Sequence, residues 1–277
     1  MKILFNKISD EFKVSSSLNK IIYLNVIVFL VFKVCTSILF LFEINTIELL
    51  NKFYLPADIN LIKLQPWSIF SFMFIHSNFI HLIFNMLWLY FIGNIFLQWL
   101  NNKQLIYIYI LGGISGGLFF ILGYNYFPVL QKNIENTLAL GASASIFAIM
   151  MAISIYKPNH KIQIPFINKI KLKNITIFLT IFYVVSLSGG NTGGYLAHIG
   201  GGIFSFIYIN QLNTSKIFNS FFNNKSKFNE KDCDYIYNQK QNKKNKEIDI
   251  ILEKISKSGY KSLNKKEKEM LFKSSKK

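Results

Sequence analysis

Leu140-Gly141-Ala142-Ser143-Ala144-Ser145-Ile146-Phe147 places a hydroxyl among small residues at the point where an apolar helix begins. On a membrane helix, small residues alone mean only that another helix approaches closely. What singles out Ser143 is its relation to His81, Asn85 and His198, polar residues in a chain otherwise filled with Ile, Leu and Phe. Ser143 is read as a nucleophile on that basis.

The 277 residues are 51% hydrophobic and include 28 Phe, too apolar for one soluble domain to bury. The chain therefore reads as an all-α membrane protein. All 31 basic residues are Lys, so bidentate guanidinium recognition of phosphate is absent and nucleic acid is not an expected partner. Cys35 and Cys233 are too few and too differently placed for a disulfide framework or a zinc site. The opening Met1-Lys2-Ile3-Leu4-Phe5-Asn6-Lys7 lacks the order of a cleaved signal, so the N-terminus is expected to be retained.

Residues 1–20 form a polar N-terminal segment, and residues 21–211 hold six apolar helices at about 21–42, 78–100, 105–127, 141–156, 175–188 and 193–211. Lys33 in the first is costly unless it snorkels or faces the bundle interior. The 43–77 connection carries apolar residues of its own and is expected to lie partly in the interface. Gly112, Gly113, Gly116 and Gly117 should press the third helix on a neighbour. With both termini cytoplasmic, Lys103, Lys157, Lys161, Lys169, Lys171, Lys173 and the lysine-rich tail all lie inside, as the positive-inside rule asks.

Residues 212–246 read as a polar Lys/Asn-rich linker, and 247–277 as a small cytoplasmic unit of two short amphipathic helices. Its apolar positions are Ile248, Ile251, Leu252 and Ile255, then Leu263, Met270, Leu271 and Phe272, on either side of a stop at Ser258-Gly259. It is too small for a robust core. Docking on an unknown partner, on the membrane surface or on the membrane domain all remain open, as does a purely solubilising role.

In this topology the second, fourth and sixth helices run the same way, which brings His81, Ser143 and His198 to a similar depth near the outer face. Asn85 lies one turn after His81, on the same face and about 6 Å deeper. At 16 residues the fourth helix spans about 24 Å, against about 30 Å of hydrocarbon, so its start is expected to be recessed. The unsatisfied N–H of Ser143 there could bind a developing oxyanion. Gly190, Gly194 and Gly202 flank His198 at four-residue spacing with Ala197 and Gly201 adjacent, and Ala144, Ala148 and Ala152 line the fourth helix, so the two helices are expected to approach closely. A neutral imidazole then accepts the serine proton.

Glu135 is the sole acid between residues 59 and 229, so the expected arrangement is a dyad and not a triad. His-Glu-x-x-His and paired aspartates are absent from this stretch, and His76, His81 and His198 have no Cys or carboxylate beside them. Neither a metal nor a cofactor is expected.

These residues resemble the rhomboid family of intramembrane serine proteases, bacterial members with a short C-terminal domain included. The likeness rests on His76-x4-His81-x3-Asn85, Gly141-Ala142-Ser143 and Ala197-His198-Ile199-Gly200-Gly201, and covers about residues 15–212. It implies a six-helix bundle in the bacterial plasma membrane that cleaves transmembrane protein substrates in or near their spans. Small residues at the cleavage site and helices that unwind easily would be favoured. It also implies Ser143 as nucleophile, His198 as general base and acid, and Asn85 and His81 as oxyanion stabilisers. His76, Phe147 and Gly141 would support the site.

Two positions depart from the family pattern: Ala144 follows the nucleophile where glycine is common, and Ser68 follows Trp67 where many members carry Arg. The second removes an ordering contact from the first loop. The rival reading is a catalytically inactive rhomboid-like protein that binds membrane-protein clients.

Overall fold

Apolar runs closed at their starts by polar caps become the main helices: α1 (Ser17–Leu41), α2 (Phe79–Leu97), α3 (Asn102–Tyr126), α4 (Ser143–Tyr156), α5 (Leu172–Val185) and α6 (Thr192–Thr214). The computed structural model describes residues 15–164, 167–214, 248–256, 258–264, 267–269 and 271. These divide into two compact units, within Met1–Asn224 and Lys225–Lys277. Most of the polar N-terminal segment, most of the expected linker, Met270 and Phe272 lie outside the described residues. Among the described residues, α1, α2 and α3 are long and apolar enough to cross a membrane, and α4 and α5 are shorter apolar helices.

The caps are legible residue by residue. Ser16 accepts from the Asn19 N–H at 3.2 Å, which lets α1 begin before the apolar run does. Asn78 accepts from the His81 N–H at 2.8 Å. Asn101 and Gln104 form a reciprocal capping box at the start of α3, each bond 3.0 Å. No side chain caps α4. Gly141, expected inside that helix, instead has φ +114°, a conformation no right-handed helix contains, so α4 starts at Ser143. At 14 residues it spans about 21 Å, shorter still than its sequence suggested.

The 43–77 connection is more structured than a loop. It contains the short helices Thr46–Asn51, Ile59–Leu64 and Ser68–Ser71, and the strand β1 (Leu55–Pro56). β1 pairs antiparallel with β2 (Leu138–Ala139), matching Leu55 to Ala139. Around Ser68 the segment is held by the Trp67 indole donating to the Lys52 carbonyl (2.7 Å) and by Ser71 Oγ donating to the Phe53 carbonyl (2.8 Å). A second hairpin, β3 (Lys161–Ile164) and β4 (Ile167–Lys171), joins α4 to α5.

The α1–α2 and α3–α4 connections therefore meet at one end of the bundle through β1 and β2. At the other end Trp99, between α2 and α3, lies 6.3 Å from the His160 ring on the α4–α5 connection.

Small residues form the centre. A Cβ on Gly116 would lie 2.6 Å from the Ala197 carbonyl oxygen and 2.8 Å from the Ala144 Cβ, and one on Gly201 would lie 2.6 Å from the Ala144 carbonyl oxygen. Helices α3, α4 and α6 are thus in near-backbone contact. Ser205 Oγ adds a bond to the Ala148 carbonyl at 2.7 Å. Gly201, Gly202 and Ser205 meet α4, and Ala197 meets Gly116 of α3; Gly190 has nothing within 4 Å and the nearest atoms to Gly194 are those of Asn191, so those two glycines do not carry the approach.

Helix α1 is fastened by a buried polar link. Asn25 donates to the Tyr109 hydroxyl at 3.0 Å and to the Ile21 carbonyl at 2.8 Å. Lys33 lies about 24 Å along α1 from Ser17. Its Nζ reaches the Ser77 carbonyl at 3.4 Å, so the ammonium extends to the polar connection at the end where Ser143 lies.

In the second unit residues 248–256 are helical, Ile251 is buried and Gly259 has φ +74°. Asn264 and Glu267 cap reciprocally (2.7 and 2.9 Å), and Lys254 Nζ lies 2.9 Å from a Glu267 carboxylate oxygen.

Candidate active site

The uncapped start of α4 leaves the backbone N–H groups of its first turn without a side-chain acceptor. Ser143 is the first residue of that turn. Its Oγ lies 2.8 Å from His198 Nε2, on the second turn of α6. For Nε2 to accept the hydroxyl proton, the imidazole proton must be on Nδ1, and Nδ1 is buried with no hydrogen-bond partner among the described residues. Ser143 and His198 are thus in hydrogen-bond contact, with no third polar group on Nδ1 among the described residues.

Aromatic rings orient the imidazole. Tyr183 of α5 packs 4.5 Å from the His198 ring, and Phe147 of α4 lies farther away at 6.1 Å. Phe147 and Tyr183 meet edge to face at 5.0 Å, so the three rings brace one another. Tyr183 escaped the sequence reading because it is one of 14 tyrosines and stands in no motif. Its position on α5, five residues from a predicted helix end, carried no distinguishing signal.

His81, on the first turn of α2, accepts from or donates to Ser77 Oγ through Nδ1 at 3.2 Å. With Ser77 donating, Nε2 carries the proton. That edge faces Gly141: a Cβ there would lie 3.0 Å from Nε2, so both the space and the positive φ require glycine. The Gly141 N–H is bound by the Phe72 carbonyl at 2.9 Å, which fixes the turn before the serine. Asn85 donates one N–H to the His81 carbonyl at 2.8 Å, and its amide has a second.

His76 is 4% exposed, its ring 5.1 Å from that of His81. Burial, and secondarily the neighbouring His81, lower its pKa to about 4, so it is neutral at ordinary pH. Its ring packs on that of His81.

A cleft of about 210 Å³ opens beside the pair, lined by Ser143, His198, Asn85, Phe147 and Tyr183 and walled by Phe84, Trp88 and Leu179. Its lining includes Asn85 but not His81 or His76. Among the described residues no cluster of His, Cys, Asp and Glu could hold a metal ion.

Apolar helices around a serine–histidine contact define a class, the helical integral membrane proteins with a hydrolase-like polar pair. Residues 63–212 match the family model described as the Rhomboid domain, more than half of the chain, and the protein belongs to the rhomboid family. Residues 231–277 match a family of unknown function, DUF6576. The chain is 31% identical over 144 residues to "Rhomboid protease AarA" of Providencia stuartii, covering 47% of this chain and 50% of that one. It is 24% identical over 162 residues to "RHOMBOID-like protein 12, mitochondrial" of Arabidopsis thaliana, covering 55% and 48%. The matches span about half the length of these relatives.

Proposed function

We propose that the protein is an intramembrane serine endopeptidase that crosses a bacterial plasma membrane six times and cleaves peptide bonds in or near the spans of other membrane proteins. Both termini would be cytoplasmic, with residues 21–211 carrying the reaction and 247–277 a separate unit of unassigned partner. The observation that carries the reading is the 2.8 Å contact between Ser143 Oγ and His198 Nε2 beside an open cleft.

In this mechanism His198 Nε2 takes the hydroxyl proton as Ser143 Oγ attacks the scissile carbonyl carbon. The oxyanion is held by the Ser143 N–H at the uncapped helix start, by the second Asn85 N–H and by His81 Nε2–H. The imidazolium gives its proton to the leaving amine, and the acyl-enzyme forms. Water, deprotonated by His198, then attacks the ester carbonyl, and as the ester bond breaks His198 returns that proton to Ser143 Oγ, releasing the new carboxylic acid. The tilted rings of Tyr183 and Phe147 keep the imidazole aimed through both halves of the cycle.

Cleavage of a reconstituted transmembrane substrate should be lost in Ser143→Ala and in His198→Ala, both still folded by thermal unfolding. A fluorophosphonate should label the wild type at Ser143. Turnover retained in both variants would defeat the assignment, and a folded wild type that neither labels nor cleaves would instead be a client-binding protein.

A further inference from the structure

At the end of the bundle away from Ser143, the charged groups of the α4–α5 connection and its flanks are all lysines: Lys157, Lys161, Lys169, Lys171 and Lys173. The described carboxylate residues of the first unit, Glu43, Glu48, Asp58 and Glu135, all belong to the α1–α2 and α3–α4 connections at the opposite end. The lysines thus have no carboxylate partner within this unit's described residues. The β3–β4 register worsens their repulsion, because Lys161 is paired directly with Lys171. Like charges opposite one another destabilise a ladder unless an anion lies between them.

The hairpin is nonetheless anchored. Ile162 is buried, the Leu172 N–H is bound by the His160 carbonyl at 2.9 Å, and Leu172 is fully buried. Lys157 Nζ stacks 4.5 Å over the half-exposed Trp99 ring, a residue type suited to the boundary between lipid tails and headgroups. A lysine stacked on a half-exposed tryptophan suits the level where a bilayer presents its phosphates.

We propose that the β3–β4 hairpin, with Trp99 beside it, is a binding site for the headgroups of anionic phospholipids, whose phosphates lie between the paired lysines and supply the missing counter-charge. The ligand is a lipid rather than a soluble anion because the apolar helices α4 and α5 that carry the hairpin hold it against the membrane surface. Recognition is by charge, since lysine offers ammonium groups and not a bidentate fork.

The test uses the full chain with Trp67→Phe and Trp88→Phe, so that Trp99 alone emits, in vesicles containing brominated phosphatidylcholine or brominated phosphatidylglycerol. The anionic lipid should quench Trp99 with a relative association constant about fivefold higher or more. Lys161→Gln, Lys169→Gln, Lys171→Gln and Lys173→Gln together should abolish that preference, while the same four changed to Arg should keep it. Equal quenching by the two lipids, or a preference surviving the four Gln substitutions, overturns the proposal. So does loss of the preference in millimolar inorganic phosphate at constant ionic strength, which would make this a soluble-anion site.

Discussion

Gly201 of α6 rests on the carbonyl oxygen of Ala144, the residue after the serine, so closely that a Cβ would lie 2.6 Å from that oxygen. A backbone oxygen cannot swing aside as a side chain end can. Gly201→Ala should therefore push α6 off α4, lowering stability by about 1–3 kcal/mol in a thermal or denaturant melt in detergent. It should also impair cleavage by widening the gap between His198 and Ser143. Gly190→Ala, where nothing lies within 4 Å, should leave both unchanged.

Tyr183 acts on His198 by ring contact at 4.5 Å. Removing the ring in Tyr183→Ala should lower kcat by about 10- to 100-fold through misplacement of the imidazole. Tyr183→Phe, which keeps the ring, should retain most of the activity. A Phe variant as impaired as the Ala variant would show that the hydroxyl matters instead.

His76 sets a pH dependence of stability. Its folded pKa of about 4 lies below the ordinary 6.5, so the unfolded chain binds more protons between those values. The contribution is complete above about pH 6.5 and is lost as pH falls through about 4, amounting to about 3 kcal/mol. In His76→Leu the melting temperature should fall less steeply across that window than in the wild type.

Asn25 and Tyr109 share the buried bond that fastens α1. Asn25→Leu removes the Tyr109 hydroxyl's nearest partner and should cost about 1–3 kcal/mol. Combining it with Tyr109→Phe should cost less than the sum of the two single changes, because they share one interaction. Additive melts would show that the bond contributes nothing.

The helices and the serine–histidine pairing were open to reading because membrane spans are written in long apolar runs, and a nearly acid-free core leaves few polar residues to bring together. Ser143, His81, Asn85 and His198 stood out for that reason, and Gly141 through the family likeness. What the sequence did not disclose depends on short-range geometry. Two-residue strands such as Leu55–Pro56 have no period to detect, and the lysine-punctuated hairpin breaks the pattern of a buried strand. Four-residue spacing suggested a contact face running from Gly190 through Gly194 to Gly202 with Gly201 beside it; Gly201, Gly202 and Ser205 meet α4, while Gly190 and Gly194 do not. Tyr183 acquires its role only when α5 folds against α4 and α6.

The pairing of Leu55–Pro56 with Leu138–Ala139, together with the Phe72 carbonyl on the Gly141 N–H, stitches the first connection to the backbone just upstream of Ser143. Lifting that connection away from the bundle therefore also tugs on the turn that aims Ser143. In the proposed peptidase, any force on that connection would be felt at the reacting hydroxyl.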